Sequence, residues 1–157
     1  MKPRMASPAI ILPEVSQALQ ALGKALFASA EEAGIPRRTL FLMYLRASQI
    51  NGDSVCVELH SRNAMAAGES KERVLAVSAW REANGFDAAE RAALALSEAV
   101  TRLSDRDNPV SDEIFDEAAR HFDETALATL IAGIATANLW NRVNVSTRQL
   151  PAGPTAK

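Results

Sequence analysis

Helix breakers divide this chain into segments of helical periodicity, and this pattern limits its fold more than any other feature. Apolar residues recur at spacings of three and four within each segment, whereas the alternation typical of strands is absent. Alanine is abundant and aromatic residues make up only 5% of the chain, which favours helices over sheets. We therefore predict an all-α fold, a bundle of about seven helices in a single domain.

Breakers and capping residues predict where each helix begins and ends. Asp87 and Glu90 have the spacing of a capping box, and Ser111 precedes two acidic residues that favour a helix start. In the longest helix, an apolar middle predicts core positions at Leu127, Leu130, Ile131, Ile134 and Leu139. The predicted helices cover roughly 13–34, 36–50, 54–68, 71–82, 88–103, 112–121 and 124–148. We accordingly divide the chain into an N-terminal helix (1–35), a core (36–148) and a flexible tail (149–157).

Composition excludes several classes of partner. A net charge of −2 gives no support to nucleic acid or an anionic membrane surface. No apolar run reaches the roughly 20 residues that a membrane span needs, and no signal peptide is visible. We expect a cytoplasmic protein that acts on a small molecule.

Cys56 and His60 are the strongest candidates for chemistry. They lie four residues apart near the start of a predicted helix, so their side chains share one face. The helix N-terminus favours a thiolate, and a histidine one turn away can accept its proton. The alternative is a buried cysteine that acts as a small hydrophobe beside a core histidine.

Asp53 has two possible roles. Three residues before Cys56, it is well placed to cap the helix, and its charge would oppose a neighbouring thiolate. It could instead be a general base if Phe41, Met43 or Tyr44 removed it from water. We predict that Asp53→Asn changes stability by no more than about 1 kcal/mol, since both residues are good caps.

Other patterns give no cofactor or metal site. The single cysteine excludes an intramolecular disulfide. His121 stands among acidic residues near a helix end, where a solvated charge is more common than a ligand. No spacing suggests a metal centre, and no glycine-rich phosphate loop is present. We therefore expect neither cofactor nor metal.

Several segments together resemble one known family. The run LRASQING is followed by Cys56, His60 and Ala64 to Gly68, and then by SAWRE at 78–82. Glu90 to Ala99 and ANLWNRVN at 137–144 complete the pattern. In this order, from Pro36 to Arg148, the chain resembles the AhpD-like/carboxymuconolactone decarboxylase family. This resemblance implies an all-α AhpD-like bundle that assembles into a homo-oligomer, often a trimer or hexamer.

The peroxidase branch of that family implies four redox residues, of which this chain keeps two. They are a Cys-x-x-Cys pair, a histidine four residues later, and a glutamate twelve residues before the first cysteine. Cys56 matches the second cysteine and His60 the histidine, while Asp53 and Phe41 replace the other two. A sulfenic acid on Cys56 would therefore have no neighbouring thiol to resolve it.

Three functions remain open at this point. The first is weak one-cysteine thiol redox activity through Cys56 and His60. The second is acid–base catalysis in an altered pocket, such as proton abstraction or decarboxylation, with Asp53 as base beside His60. The family's decarboxylase branch has a His-x-Arg-x-Ala pattern, which residues 60–64 match. The third is a binding or structural remnant without chemistry. For a substrate, we expect a pocket formed by Phe41, Met43, Tyr44 and Met65.

Overall fold

The computed structural model describes residues 2–105 and 107–151 of the chain, and over these ranges the fold is helical without a strand. Eight α-helices and one 3₁₀ helix are present in these ranges. They are α1 (Pro8–Ile11), α2 (Pro13–Glu32), α3 (Arg37–Asn51), α4 (Ser54–Ala66), α5 (Lys71–Ala76), the 3₁₀ helix (Val77–Ala79), α6 (Ala88–Thr101), α7 (Asp112–Ala119) and α8 (Glu124–Thr147). The all-α prediction is confirmed, and the short α1 is an addition to it.

Helix α3 lies at the centre of the bundle and packs against α4, α6 and α8. Leu40, Met43, Leu130 and Ile134 are completely buried where α3 and α8 meet. Leu139, which we predicted in the core, is 37% exposed because it points away from that face of α8. Helix α2 packs against α8 and closes one side of the bundle.

The predicted helix over 71–82 ends early, at Ala76, and continues as a 3₁₀ turn. The segment after this turn is held by the side chain of Arg91, which donates hydrogen bonds to the carbonyls of Trp80 (3.0 Å), Arg81 (3.1 Å) and Ala83 (2.5 Å). These carbonyls belong to the segment between the 3₁₀ turn and α6, where a side chain supplies the hydrogen-bond donors that a helix backbone would supply. The capping box of Asp87 and Glu90, by contrast, is formed as predicted.

The C-terminal segment is anchored where the structure describes it. Gln149 donates its side-chain amide to the carbonyl of Met5 at 3.2 Å, and the backbone of Arg4 donates to the carbonyl of Thr147 at 3.0 Å. The remainder of the predicted tail, residues 152–157, lies outside the described residues.

Candidate active site

The start of α4 positions the candidate residues. Gly52 ends α3 in the left-handed conformation (φ 69°), which turns the chain so that Asp53 becomes the N-cap of α4. The Oδ1 atom of Asp53 accepts hydrogen bonds from the backbone amides of Val55 at 3.0 Å and Cys56 at 3.2 Å. The capping role predicted for Asp53 is therefore present in the structure.

The second carboxylate oxygen of Asp53 is held by α8. Its Oδ2 atom accepts from the side-chain amides of Asn141 and Asn144, each at 3.0 Å. Asn141 also donates to the hydroxyl of Ser48 at 3.0 Å. Asp53 is only 2% exposed, and the four donors to its two oxygens compensate for its burial. The carboxylate thus joins the ends of α3, α4 and α8.

Cys56 is a buried thiol, 4% exposed, beside this carboxylate. The pKa of Cys56 is raised from 9.0 to about 12, mainly by burial and then by the hydrogen bond and charge of Asp53. Asn144 opposes the shift, because its side-chain amide donates to the sulfur at 3.4 Å. With such a pKa, only about one part in 10⁵ of the thiol is ionised at pH 7.

His60 is a mostly buried, neutral imidazole. Burial lowers its pKa from 6.5 to about 4, although the charge of Asp53 acts in the opposite direction. Its Nδ1 atom is buried without a hydrogen-bond partner among the described residues. The ring packs against that of Tyr44, with 5.4 Å between centroids, and burial raises the pKa of Tyr44 to about 12. At neutral pH the side chains of Cys56, His60 and Tyr44 are therefore uncharged.

Cys56 and His60 line one cavity of about 430 Å³. Its walls come from α2 and α4, which lie over α3 and α8, and most of the lining atoms are apolar. The residues that line it are Ser7, Ala9, Gly23, Leu26, Phe27, Phe41, Tyr44, Val55, Cys56, Leu59, His60, Asn63, Gly133, Thr136, Ala137, Trp140 and Asn144. This volume is within the range of small-molecule sites. The cavity is therefore the candidate active site.

Phe41 and Tyr44 line this cavity, as expected, but three other predicted residues do not. Met43 is completely buried in the core, because it lies two residues from Phe41 and so points to a different face of α3. Met65 is 44% exposed near the end of α4. Asp53 borders a separate surface cavity together with Arg4 and Arg148. Phe41 therefore does not desolvate Asp53, and α4 and α8 bury it instead.

The sequence analysis did not single out the asparagines of α8. Asn138, Asn141 and Asn144 recur every third residue, are 0–9% exposed, and face the ends of α3 and α4. Buried amides at helical spacing in an otherwise apolar helix were a usable signal of a polar network. Phe27 and Trp140 of the cavity carried no such signal, because an aromatic residue on a helix is most often core.

His121 does not line the cavity that contains Cys56 and His60. Its Nε2 atom lies 3.2 Å from Oε1 of Glu117 on the surface, and His121 is thus solvent-facing. Within the described residues, no group of three or more potential ligands is arranged to hold a metal ion. No helix in these ranges has the length and apolar character needed to cross a membrane.

Comparison with known proteins shows which family the chain belongs to. Residues 13–99 match the model of the carboxymuconolactone decarboxylase family. The uncharacterised protein YdfG of Bacillus subtilis (strain 168) is 33% identical over 116 residues, which are 74% of this chain and 78% of YdfG. The uncharacterised protein YnjA of Escherichia coli (strain K12) is 34% identical over 111 residues, 71% of this chain and 59% of YnjA. The chain belongs to the carboxymuconolactone decarboxylase family.

Solved structures of two other proteins have a similar fold. A protein of unknown function from Agrobacterium tumefaciens, described as a possible AhpD antioxidant defence protein, has a TM-score of 0.86 and 30% identity. The match covers 99% of this chain and all of that one. The debrominase Bmp8 matches with a TM-score of 0.79 and 26% identity, over 90% of this chain and 73% of Bmp8. A cysteine-to-alanine variant of Bmp8 in complex with 2,3,4-tribromopyrrole matches equally well.

Proposed function

We propose that the protein binds a small, mostly apolar molecule beside Cys56 and acts on it slowly, as a one-cysteine thiol oxidoreductase. The observation that carries this proposal is the position of Cys56 on the wall of an apolar cavity of about 430 Å³. His60 lies one helical turn away on the same wall, and its neutral imidazole can form a hydrogen bond with a bound molecule. Cys56 is also the single cysteine of the chain, so any thiol chemistry must take place here.

The similar structures support both parts of this proposal. Bmp8 is a debrominase, and one of its structures holds 2,3,4-tribromopyrrole, a small halogenated ring. The Agrobacterium tumefaciens protein has been connected with antioxidant defence. Small organic molecules and oxidants are thus the two substrate classes that these relatives suggest for this cavity.

The reaction with a hydroperoxide can be written for one thiol. The Cys56 sulfur attacks the terminal oxygen of ROOH, an S–O bond forms, the O–O bond breaks, and the thiol proton passes to the leaving alkoxide. The products are a sulfenic acid on Cys56 and the alcohol ROH. An external monothiol then condenses with the sulfenic acid, releasing water, and a second monothiol frees Cys56 as the external disulfide forms.

The pKa of Cys56 makes this reaction slow. Attack needs the thiolate, and both burial and Asp53 keep the thiol protonated at neutral pH. We therefore expect oxidation of Cys56 to be measurable but far slower than that of an activated cysteine.

Asp53 does not support the acid–base alternative. Its two oxygens accept four hydrogen bonds, and it does not line the cavity that contains Phe41 and His60. A substrate bound in that cavity would contact Cys56 or His60 before Asp53. The best-supported reactive group is therefore the thiol.

Cumene hydroperoxide, an aromatic hydroperoxide that the cavity can hold, tests the proposal. We expect one sulfenic acid per chain, trapped by dimedone and located at Cys56 by mass spectrometry. The second-order rate constant should rise with pH between about 7 and 10, because the thiolate fraction rises. Turnover should depend on added monothiol and vanish in Cys56→Ser. Absence of a dimedone adduct across this pH range, or equal turnover in Cys56→Ser, would overturn the proposal.

A further inference from the structure

Two glycines line the cavity, and packing explains only one of them. On α8, a Cβ added to Gly133 would lie 2.5 Å from the hydroxyl oxygen of Tyr44, so no larger residue fits there without movement. On α2, Gly23 has no such neighbour. Apart from its own helix backbone and chain neighbours, no atom of the described residues lies within 4 Å of the position its Cβ would take.

The backbone does not require a glycine at position 23 either. It lies inside the 20-residue helix α2, and it is not among the positive-φ glycines that end helices or form turns in this chain. A glycine within a helix destabilises it by roughly 0.5–1 kcal/mol relative to alanine. Gly23 thus has a cost in stability that neither packing nor the backbone explains.

What Gly23 provides is space in the cavity. Gly23, Leu26 and Phe27 lie on one face of α2, and all three line the cavity on the α2 wall. Cys56 and His60 belong to the α4 wall. A side chain at position 23 would therefore project into the part of the cavity that α2 bounds.

The size of the cavity indicates what this space is for. Its volume of about 430 Å³ exceeds by far the ~150 Å³ of an apolar protein cavity that holds one benzene molecule. A ligand of one unsubstituted ring beside Cys56 would leave much of the cavity empty. A ring with an apolar extension towards α2 would fill it.

We propose that Gly23 is a specificity-determining residue, which opens the α2 wall for the apolar extension of an alkyl-substituted aromatic ligand whose polar group lies near Cys56. This inference rests on the proposed function, since it concerns the ligand of the same cavity. Asn144 and His60 supply polar groups near the sulfur, while Leu26 and Phe27 supply apolar contacts on the α2 wall.

Calorimetric titration with benzyl alcohol and 4-butylbenzyl alcohol tests the inference. Each buried methylene tightens binding about fourfold, so the four carbons of the butyl group should make this compound bind the wild-type protein up to about 250-fold more tightly than the parent. Gly23→Leu should abolish most of this advantage and change the affinity for benzyl alcohol by less than about threefold. In Gly23→Ala, the preference for the butyl compound should lie between those of the wild-type protein and Gly23→Leu. The same substitution should raise the melting temperature, because alanine favours the helix.

Ala25→Leu is the matched control, because it places the same side chain on an exposed position of α2. It should leave both affinities unchanged. If the wild-type protein prefers the butyl compound and Gly23→Leu keeps that preference, Gly23 does not determine specificity, although the proposed ligand class stands. If the wild-type protein binds neither alcohol, the proposed apolar ligand and this inference are both wrong.

Discussion

The side-chain amide of Asn144 lies between the Asp53 carboxylate and the Cys56 sulfur, 3.0 Å from Oδ2 and 3.4 Å from Sγ. This amide has two opposite effects on the ionisation of Cys56. It stabilises the carboxylate, which keeps the thiol protonated, and it also donates to the sulfur, which favours the thiolate. The reactivity of Cys56 therefore depends on the balance between an acidic and an amide side chain.

Asp53→Asn should lower the pKa of Cys56. The substitution removes the negative charge that raises this pKa, while burial, the larger cause, remains. We therefore expect a pKa below 12 that stays above the ordinary 9.0. The ultraviolet absorbance of the thiolate, with Cys56→Ser as blank, measures it. Asp123→Asn is the matched control, since Asp123 caps α8 in the same way but is not among the causes of the Cys56 shift. An unchanged pKa in Asp53→Asn would contradict the assigned role of the carboxylate.

The same substitution should cost more stability than capping alone predicts. The introduced asparagine could still cap α4, but its amide would oppose the amides of Asn141 and Asn144, which donate to Oδ2 in the wild-type protein. A buried donor without a partner costs about 1–3 kcal/mol, so we expect the free energy of unfolding to fall by an amount in that range. Chemical denaturation of Asp53→Asn and Asp123→Asn measures the difference. Equal losses in both variants would show that the α8 amides rearrange without penalty.

Gly133→Ala should destabilise the protein by roughly 1–3 kcal/mol, as overpacking of a core does. The new Cβ would lie 2.5 Å from the Tyr44 hydroxyl oxygen, and the gain in helix propensity is smaller than this clash. Tyr44→Phe in the same chain should recover part of the loss, because it removes that oxygen and leaves ring contacts of 3.1–3.2 Å. Urea denaturation of Gly133→Ala, Tyr44→Phe and the double variant provides a double-mutant cycle. If the changes in unfolding free energy are purely additive, the predicted clash between position 133 and the Tyr44 hydroxyl is absent.

The protein should associate with itself. Family resemblance implies a trimer or hexamer, and four apolar side chains around the start of α2 are 49–76% exposed: Ile10, Ile11, Leu12 and Val15. Burial of such a patch in an interface is favourable. Sedimentation equilibrium should give three or six times 16.9 kDa, and the double substitution Ile10→Glu/Leu12→Glu should reduce that mass. Leu75→Glu, at a position 66% exposed on α5, serves as control. A single species of 16.9 kDa would show that the prediction is wrong.

Local signals predicted the helices and their caps well. Asp53 and the Asp87–Glu90 box define helix starts through contacts between residues two or three apart in sequence, so the sequence itself contains the information. The non-helical segment after the 3₁₀ turn was not predictable in this way, because its carbonyls are paired by the side chain of Arg91 from another helix.

The site was less predictable because it depends on pairing between distant segments. Phe41 and Met43 are both apolar, yet one faces the cavity and the other the core, and the choice depends on where α2 and α8 pack. The partners of the second Asp53 oxygen lie 88 and 91 residues away, on α8. No local pattern around Asp53 distinguished a cap held by these amides from a base open to a pocket.

Stability should fall in acid because of His60. Its pKa in the folded protein is about 4, below the 6.5 of an exposed histidine, so the unfolded chain binds more protons between these values. The stabilising contribution is fully present above pH 6.5 and is lost as the pH falls towards 4. A shift of this size corresponds to roughly 3 kcal/mol. Urea denaturation between neutral pH and pH 4 should show this loss of unfolding free energy in the wild-type protein. The loss should be smaller in His60→Phe and unchanged in His121→Gln, because His121 lies on the surface. Parallel pH profiles for wild type and His60→Phe would mean that carboxylates alone cause the acid sensitivity.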